Sequence, residues 1–70
     1  MESKPLAYPG TLLKSGSKGN SVKLVQKELG VTADGIFGPI TDRAVRNFQK
    51  KHGLSIDGKV GPKTWAKLFD

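Results

Sequence analysis

Few side chains in this sequence could do chemistry, and most stand without the partners that catalysis needs. Two carboxylates, Asp34 and Asp57, occupy equivalent positions, each directly before a glycine. A glycoside hydrolase needs two carboxyl groups about 5 to 9 Å apart, one of them with a raised pKa. An Asp-Gly pair is instead typical of a turn in which the carboxylate accepts a backbone N–H two residues later. The pattern therefore favours a structural role for both carboxylates.

Metal-binding and nucleophilic chemistry also lack the residues they require. His52 is the only histidine and there is no cysteine, whereas a zinc site takes about three or four His, Cys or carboxylate ligands. His52 falls at the end of a predicted helix, on the side of Val45 and Phe48, which favours a packed residue that complements the helix C-terminus. No serine stands in the glycine-flanked pattern of a nucleophile elbow. We therefore predict no catalytic residue, no metal and no cofactor.

The chain is strongly basic, with a formal net charge of +6 and a sequence pI near 9.9. This surplus of Lys and Arg favours polyanionic partners: nucleic acid, an anionic membrane surface, or the bacterial wall with its carboxylates and teichoic phosphates. No apolar run approaches the roughly 20 residues of a bilayer span, so membrane insertion is not expected. The start of the chain, Met1 to Pro5, lacks the apolar stretch of a secretory signal and is interpreted as linker.

An internal repeat organises the elements that would position these residues. Residues 21–30 align with residues 44–53, and residues 34–41 with residues 57–64, at a constant offset of 23. Each unit consists of a helix, a glycine stop, a short extended piece, an Asp-Gly turn and the start of the next helix. The sequence therefore predicts an all-α domain, a small three-helix bundle with glycine-rich extended connecting turns.

Glycine and proline mark the predicted helix ends. In the second helix Pro39 suits the first helical position, Gly38 serves as the N-cap, and Gly53 ends the helix in the left-handed conformation. The first helix is expected to have Asn20 as its cap and to end at Gly30. The third helix begins at the Gly-Pro pair that is equivalent in the repeat.

Apolar positions recur on one face of each helix at about 100° per residue. We expect the extended pieces to pair briefly with each other, and the hydroxyls of Thr41 and Thr64 to bond back into the turns. The predicted core comprises Leu13, Val22, Val25, Leu29, Val31, Ile36, Val45, Phe48, Leu54, Ile56 and Leu68.

A longer residue pattern runs through both repeats. It comprises Leu13, Gly16, Ser17, Gly19, Val22, Val25, Gln26, Leu29, Gly30, Asp34, Gly35, Ile36, Phe37, Gly38, Thr41, Ala44, Val45, Phe48, Gln49, Gly53, Leu54, Asp57, Gly58, Val60, Gly61, Thr64 and Leu68. This pattern resembles the peptidoglycan-binding domain of the three-helix type that is found beside many cell-wall hydrolases. Two positions depart from it: Val25 stands where the family often has leucine, and Leu24 is apolar on what should be an outer face.

The resemblance implies a non-catalytic module that anchors a linked enzyme on the bacterial wall. Such modules accompany amidases, muramidases, endopeptidases and phage endolysins, so the expected location is extracellular, at the cell wall. We divide the chain into a linker or tail over residues 1–14 and a peptidoglycan-binding domain over residues 15–70. The domain is expected to be monomeric and to bind peptidoglycan through its glycan, its stem peptide or both, with wall teichoic acid as a further candidate partner.

The expected ligand site is a shallow groove near the Asp-Gly turns and the starts of helices two and three. Backbone amides there could meet stem-peptide carboxylates, and arginine offers a fork-shaped donor to the same groups. Trp65, predicted to be half-buried with one ring edge open, would supply apolar area, whereas a buried role is at least as favoured for Phe37. Helix two has a basic stripe opposite its apolar face, formed by Arg43, Arg46, Asn47 and Lys50. This stripe could equally be a solvated surface. The candidate binding residues are Asp34, Gly35, Phe37, Thr41, Arg43, Arg46, Asn47, Asp57, Gly58, Thr64 and Trp65.

A nucleic-acid-binding helical domain is the main alternative, since charge, size and the basic stripe permit it. A helix-turn-helix, however, joins its helices through about 3–4 residues, whereas residues 31–38 separate the first two helices here. No RNA-binding aromatic motif or zinc-finger spacing occurs either, so nucleic acid is disfavoured. A role as a protein–protein adaptor is supported only by Leu24, an apolar residue predicted on an outer face.

Overall fold

The computed structural model describes residues 8–69. Within that range the chain forms three helices: α1 spans Asn20–Leu29, α2 spans Pro39–Lys51 and α3 spans Pro62–Phe69. The described segments between them contain turns and isolated bridges but no strand. The prediction of a small all-α bundle is therefore confirmed. None of the three helices combines the length and the apolar character that a membrane crossing requires.

Most helix ends lie where glycine and proline predict. α2 begins at Pro39 after an extended Gly38, and α3 begins at Pro62. Gly30 ends α1 in the left-handed region at φ 79°, and Gly53, one residue after the C-cap of α2, lies there at φ 70°. A side chain would strain the backbone at both positions, which is why glycine stands there.

The start of α1 differs from the prediction by one residue. Gly19 is the N-cap, and Asn20 is already helical. The Gly19 carbonyl accepts the N–H of Lys23 at 3.2 Å, which closes the first turn. The prediction of Asn20 as the cap is therefore wrong, because no side-chain cap bond forms and the chain turns at the glycine.

One apolar core lies between the three helices. It contains Leu13, Val22, Val25, Phe37, Val45, Val60, Trp65 and Leu68, with partly buried Tyr8, Leu29, Phe48 and Phe69 packed against it. The confirmed core predictions are Leu13, Val22, Val25, Val45 and Leu68. The other predicted residues on the helices, Leu29 and Phe48, lie at the edge of this core.

Four predicted core residues lie outside the core. Val31 and Leu54 are half-buried and line surface grooves. Ile36 and Ile56 are each 50% exposed, whereas Phe37 and Val60 are buried. Successive side chains of an extended segment point to opposite sides, so only one of Ile36 and Phe37 can face inward, and the larger ring does. In the second repeat Val60 holds the inward position equivalent to Phe37, whereas Ile56 lies before the turn and is exposed.

The segment before α1 contacts both repeats. Leu13 and Val60 exchange two backbone hydrogen bonds of 2.7 and 3.2 Å, and Lys18 bridges to Ile36. The extended pieces therefore pair with this N-terminal segment, and the predicted pairing between the pieces themselves is wrong. Each piece carries backbone N–H and C=O groups that need partners, and one segment that passes both pieces satisfies them.

Tyr8 packs against the core at the start of the described range. Its ring meets that of Trp65 edge-on, with 6.0 Å between the centroids. The division into residues 1–14 and 15–70 stays a prediction. The interpretation of Met1 to Pro5 as linker lies outside the described residues.

Candidate functional site

A buried glutamine positions the first Asp-Gly turn against both helices that flank it. The Gln26 amide nitrogen donates to Asp34 Oδ1 (3.0 Å), to the Ile36 carbonyl (2.9 Å) and to Thr41 Oγ1 (2.9 Å). Its amide oxygen accepts the Gly35 N–H at 2.9 Å. One side chain on α1 thus connects the turn to the first residues of α2.

The second repeat builds the same network around Gln49. Its amide nitrogen donates to Asp57 Oδ1 (2.9 Å), the Lys59 carbonyl (2.8 Å) and Thr64 Oγ1 (3.2 Å). Its oxygen accepts the N–H groups of Asp57 (3.1 Å) and Gly58 (3.0 Å). Because each buried polar atom has a partner, the cost of burying the amide is offset, and the start of α3 is fixed as firmly as that of α2.

The repeat alignment contained both glutamines, but no role was assigned to them. A signal was present in the spacing. Val22, Val25, Gln26 and Leu29 lie at i, i+3, i+4 and i+7, so an amide sits within the apolar stripe of α1. A polar residue at an inward position, repeated 23 residues later, indicates a buried hydrogen-bond network.

The threonine hydroxyls act through these glutamines. Thr41 Oγ1 and Thr64 Oγ1 each accept a hydrogen bond from the buried amide of the preceding helix. Their expected bond back into the turn is therefore indirect, with the glutamine between hydroxyl and turn. Both residues are buried, so they serve the frame of the site.

The two turn carboxylates are held in their charged form. The N–H of Ile36 and the Gln26 amide lower the pKa of Asp34 below its usual value. The N–H of Lys59 and the Gln49 amide do the same for the pKa of Asp57. A general acid needs the opposite shift, so the hydrogen bonds favour the structural role that the turn pattern predicts. Within residues 8–69 no three potential metal ligands come together.

Both aromatic candidates lie in the core. Phe37 is buried, and Trp65 is only 3% exposed. Trp65 packs on Phe69, with 4.5 Å between ring centroids, and against Tyr8 from the other end of the chain. The expectation of a half-buried Trp65 with an open edge is therefore wrong. The helix places Trp65 and Leu68 inward together, and Tyr8, whose contact is not local in sequence, covers the ring.

Arg46 packs against the second turn. Its Nε lies 3.1 Å from Asp42 Oδ2, one helical turn before it. A β-carbon at Gly58 would lie 2.5 Å from Asp42 Oδ1 and 2.8 Å from Arg46 Nε. The ion pair thus covers Gly58 closely, and Lys23 covers Gly35 in the first repeat in the same way, with its Cγ at 3.3 Å from such a β-carbon.

Arg43 and Asn47 come together in a groove at the start of α2. This groove, called groove A, encloses about 360 Å³ and is lined by Val31, Pro39, Ile40, Arg43, Ala44 and Asn47. Ile40 is 71% exposed there, an uncommon position for so large an apolar side chain. A shallower depression continues beyond Ala44 and Asn47 toward the ends of α1 and α2. The apolar part of this groove was not predicted, although an isoleucine at an exposed helix start is a readable signal.

The candidate binding residues at the start of α3 line a different groove from those at the start of α2. Asp57 and Thr64 line another groove, called groove B, of about 350 Å³. Its lining residues are Leu12, Leu54, Ser55, Asp57, Lys59, Gly61, Pro62, Lys63 and Thr64. The predicted single groove is therefore two grooves, one at the start of α2 and one at the start of α3.

Known proteins share this sequence pattern and this fold. Residues 18–68 match the family of peptidoglycan binding domains. A fused Zn-dependent amidase/peptidase/peptidoglycan-binding domain-containing protein from Clostridium acetobutylicum is 45% identical, with a TM-score of 0.83, over 86% of this chain and 29% of that one. The SleB N-terminal domain is 37% identical, with a TM-score of 0.84, over 89% of this chain and 93% of that one. A Burkholderia AP3 phage endolysin is 40% identical, with a TM-score of 0.79, over 83% of this chain and 24% of that one.

These matches define a small domain that recurs within longer proteins. An uncharacterized protein in the bpoA1 3' region of Kitasatospora aureofaciens is 47% identical over an alignment of 64 positions. The alignment covers 81% of this chain and about half of that protein's length (54%). The family match extends over most of the chain, and the fold is that of the similar structures. The chain belongs to the peptidoglycan-binding domain family. It is a module that binds peptidoglycan, and its class acts at the cell wall.

Proposed function

We propose that the domain binds the stem peptides of peptidoglycan in groove A, catalyses no reaction itself, and holds a linked cell-wall hydrolase near its substrate. One observation carries this proposal. Groove A combines a guanidinium and a side-chain amide with the exposed apolar surface of Ile40 and its neighbours. Stem peptides present carboxylates beside small apolar side chains, which is the complementary chemistry.

Arg43 is the residue expected to pair with a ligand carboxylate. Within residues 8–69 it has no carboxylate partner, whereas Arg46 is paired with Asp42. Asn47 lies four residues later on the same face of α2, where its amide offers both a donor and an acceptor. The two side chains can therefore hold a peptide carboxylate and a neighbouring backbone amide at once.

The absence of catalysis is supported by the state of the acidic side chains. Asp34 and Asp57 accept hydrogen bonds from the buried glutamines, and their lowered pKa values suit fixed acceptors. The His52 ring stacks on Phe48 with 4.3 Å between centroids. None of these groups is arranged as an acid–base pair over a groove that could hold a scissile bond.

Affinity for a single stem peptide is expected to be weak. Groove A is near the lower end of the roughly 300–1,000 Å³ range of small-molecule sites, and an exposed charged contact contributes only about 0.2–1 kcal/mol. The benefit comes from effective concentration, since a weak module keeps a linked enzyme beside a dense, repeating polymer. The Clostridium protein, whose name joins amidase, peptidase and peptidoglycan binding, supports such a linkage. Such a module would work as a monomer outside the cell.

Retention on insoluble peptidoglycan tests the site. Arg43→Ala removes the guanidinium from groove A and should weaken binding about three- to fivefold, the change that up to ~1 kcal/mol gives. Lys27→Ala removes the same charge from an exposed position of α1 that lines none of the described grooves. It should leave binding unchanged. Equal losses in both variants would show that net charge alone drives binding and would contradict the assignment of groove A.

Release of soluble fragments tests the absence of catalysis. The domain is incubated with purified peptidoglycan, and new reducing ends and new free amines are measured over a day. No increase above buffer is expected. A steady increase that survives repurification would contradict a purely binding role.

A further inference from the structure

Groove B occupies the place in the second repeat that groove A occupies in the first. Val31 and Leu54 are equivalent by the offset of 23, and so are Pro39 and Pro62. The two grooves enclose similar volumes, about 360 and 350 Å³. The extended piece beside each is fixed by its own buried glutamine, so the two surfaces are held with equal firmness.

The side chains that give groove A its character have no direct counterparts in groove B. Ala66 stands at the position equivalent to Arg43, and Lys63 stands at the position equivalent to Ile40. In groove B, therefore, the cation and the apolar surface come from positions that differ from those in groove A. In groove B the charge comes from Lys63 and Lys59, and the segment before α1 supplies Leu12, which is 42% exposed.

The remaining charged side chain of groove B is already engaged. Asp57 Oδ1 accepts the Gln49 amide and the Lys59 N–H, both at 2.9 Å. The two lysines of the groove exceed its one carboxylate, so the charge left over is positive. An anionic group that carries small apolar substituents complements this surface.

We propose that groove B is a second site for the carboxylate-bearing stem peptide of peptidoglycan, so that one domain contacts the polymer at two points. This inference rests on the proposed function of groove A. Two weak sites on one repeating polymer raise retention together, because binding at one site increases the effective concentration of ligand at the other. The altered residues mean that the two sites hold the ligand carboxylate by different cations, a guanidinium and an ammonium.

Backbone amide shifts in a titration with a purified disaccharide-tetrapeptide distinguish the two sites. The amides of Ile40 and Arg43 report on groove A, and those of Gly61 and Lys63 report on groove B. Both sets should shift and saturate. Lys63→Ala should weaken the groove B response about three- to fivefold and leave the groove A response unchanged, whereas Lys27→Ala should affect neither.

Each pattern of shifts decides a different claim. Saturable shifts in groove A alone would overturn the second site and leave the proposed function intact. Shifts in groove B alone would overturn two-point binding and move the site away from Arg43. Shifts in neither groove would contradict both proposals. Groove B shifts that Lys63→Ala does not change would overturn recognition of the carboxylate by Lys63.

Retention on insoluble peptidoglycan tests the consequence for the polymer. If both grooves engage one polymer, the losses from Arg43→Ala and Lys63→Ala multiply, and the double variant binds about tenfold or more weakly. A double variant that binds as well as Arg43→Ala alone would contradict two-point binding. Circular dichroism on all variants confirms that the helices are intact.

Discussion

Gln49→Glu is the substitution that separates the buried amide network from simple packing. The two side chains have nearly the same shape, so no cavity forms, but the amide nitrogen, whose two hydrogens are shared among three acceptors, becomes an oxygen. Those bonds reach Asp57 Oδ1, the Lys59 carbonyl and Thr64 Oγ1 at 2.8–3.2 Å. The new carboxylate would also face the charged Asp57 directly.

The expected loss of stability is large for a domain of this size. A hydrogen bond to a charged group is worth about 1.5–3 kcal/mol and a neutral one about 0.5–1.5 kcal/mol. Since the amide has two N–H donors, the loss of one bond of each kind suggests that Gln49→Glu lowers the free energy of unfolding by about 2–4 kcal/mol at pH 7. At about 0.05–0.15 kcal/mol per residue, the whole domain has only about 4–10 kcal/mol.

The loss should depend on pH with a definite sign. Asp57 repels the introduced carboxylate, so the folded-state pKa of the introduced glutamate lies above its unfolded value of about 4.3. The loss of stability is then smaller at low pH and grows as pH rises through the folded pKa. In the protonated form the introduced group can again donate one hydrogen bond. In the wild type the Lys59 N–H and the Gln49 amide lower the pKa of Asp57. The substitution removes the amide and adds a like charge, so the two carboxylates titrate as a coupled pair in the variant.

Urea unfolding followed by Trp65 fluorescence measures the effect, because the single tryptophan is buried beside Phe69. Asn47→Asp makes the same amide-to-acid change at an exposed position of α2 and should cost no more than about 0.5 kcal/mol. A loss below about 1 kcal/mol for Gln49→Glu at pH 7, or an equal loss at pH 5, would refute the network as the support of the second turn.

Three further predictions follow from the same contacts. Trp65→Ala should destabilise the domain by about 3–5 kcal/mol, measured by circular dichroism in urea, and should reduce wall binding only in proportion to the unfolded fraction; a stable variant that fails to bind would restore Trp65 as a contact residue. The lowered pKa values of Asp34 and Asp57 contribute stability that is present above about pH 3.8 and is lost as pH falls below it; the double Asp→Asn variant should lose less stability between pH 5 and 2.5 than the wild type, and an identical acid profile would contradict this. Thr41→Val removes one acceptor from the Gln26 amide and should cost about 1 kcal/mol in urea unfolding, whereas Thr32→Val, on an exposed position, should cost less than half of that; equal costs would show that the hydroxyl bond is not the cause.

The helices were predictable because their signals are local. Gly38-Pro39 starts α2 and Gly30 ends α1 through backbone restrictions that act within one or two residues. The shift from Asn20 to Gly19 at the start of α1 shows the limit of this reasoning, since either residue type can cap a helix. The all-α architecture with its repeat followed from these signals alone.

The surface of the site was harder to predict because it depends on contacts between distant residues. Trp65 lies at the edge of its helical stripe, and the contacts that bury its ring include Tyr8, more than fifty positions away in the chain. The choice of Phe37 over Ile36 likewise depends on pairing with the segment before α1. Arg43 and Asn47 could be placed together from helical spacing, and they do line one groove, but their role in binding stays a prediction.

Groove A and groove B show how far a repeat can inform a site. The offset of 23 identified equivalent turns, and the structure has an equivalent groove beside each turn. The residues that line them differ, because Lys63 replaces Ile40 and Leu12 comes from outside the repeat. A single groove was predicted, and the repeat equivalence accounts for the position of the second groove better than for its chemistry.

Retention of the wild-type domain on peptidoglycan freed of teichoic acid, over a salt series with duplex DNA measured in parallel, tests the central claim most directly. Recognition in a groove that combines charge with apolar contact predicts retention that persists at about 150 mM salt, where exposed charges are screened beyond about 8 Å. Binding to DNA through charge alone would fall linearly in log–log form with a slope near −0.9 per phosphate contacted. Persistent retention on the stripped wall beside weak, salt-sensitive DNA binding is the predicted result. Loss of wall retention at that salt, with DNA or teichoic acid bound more tightly, would contradict it.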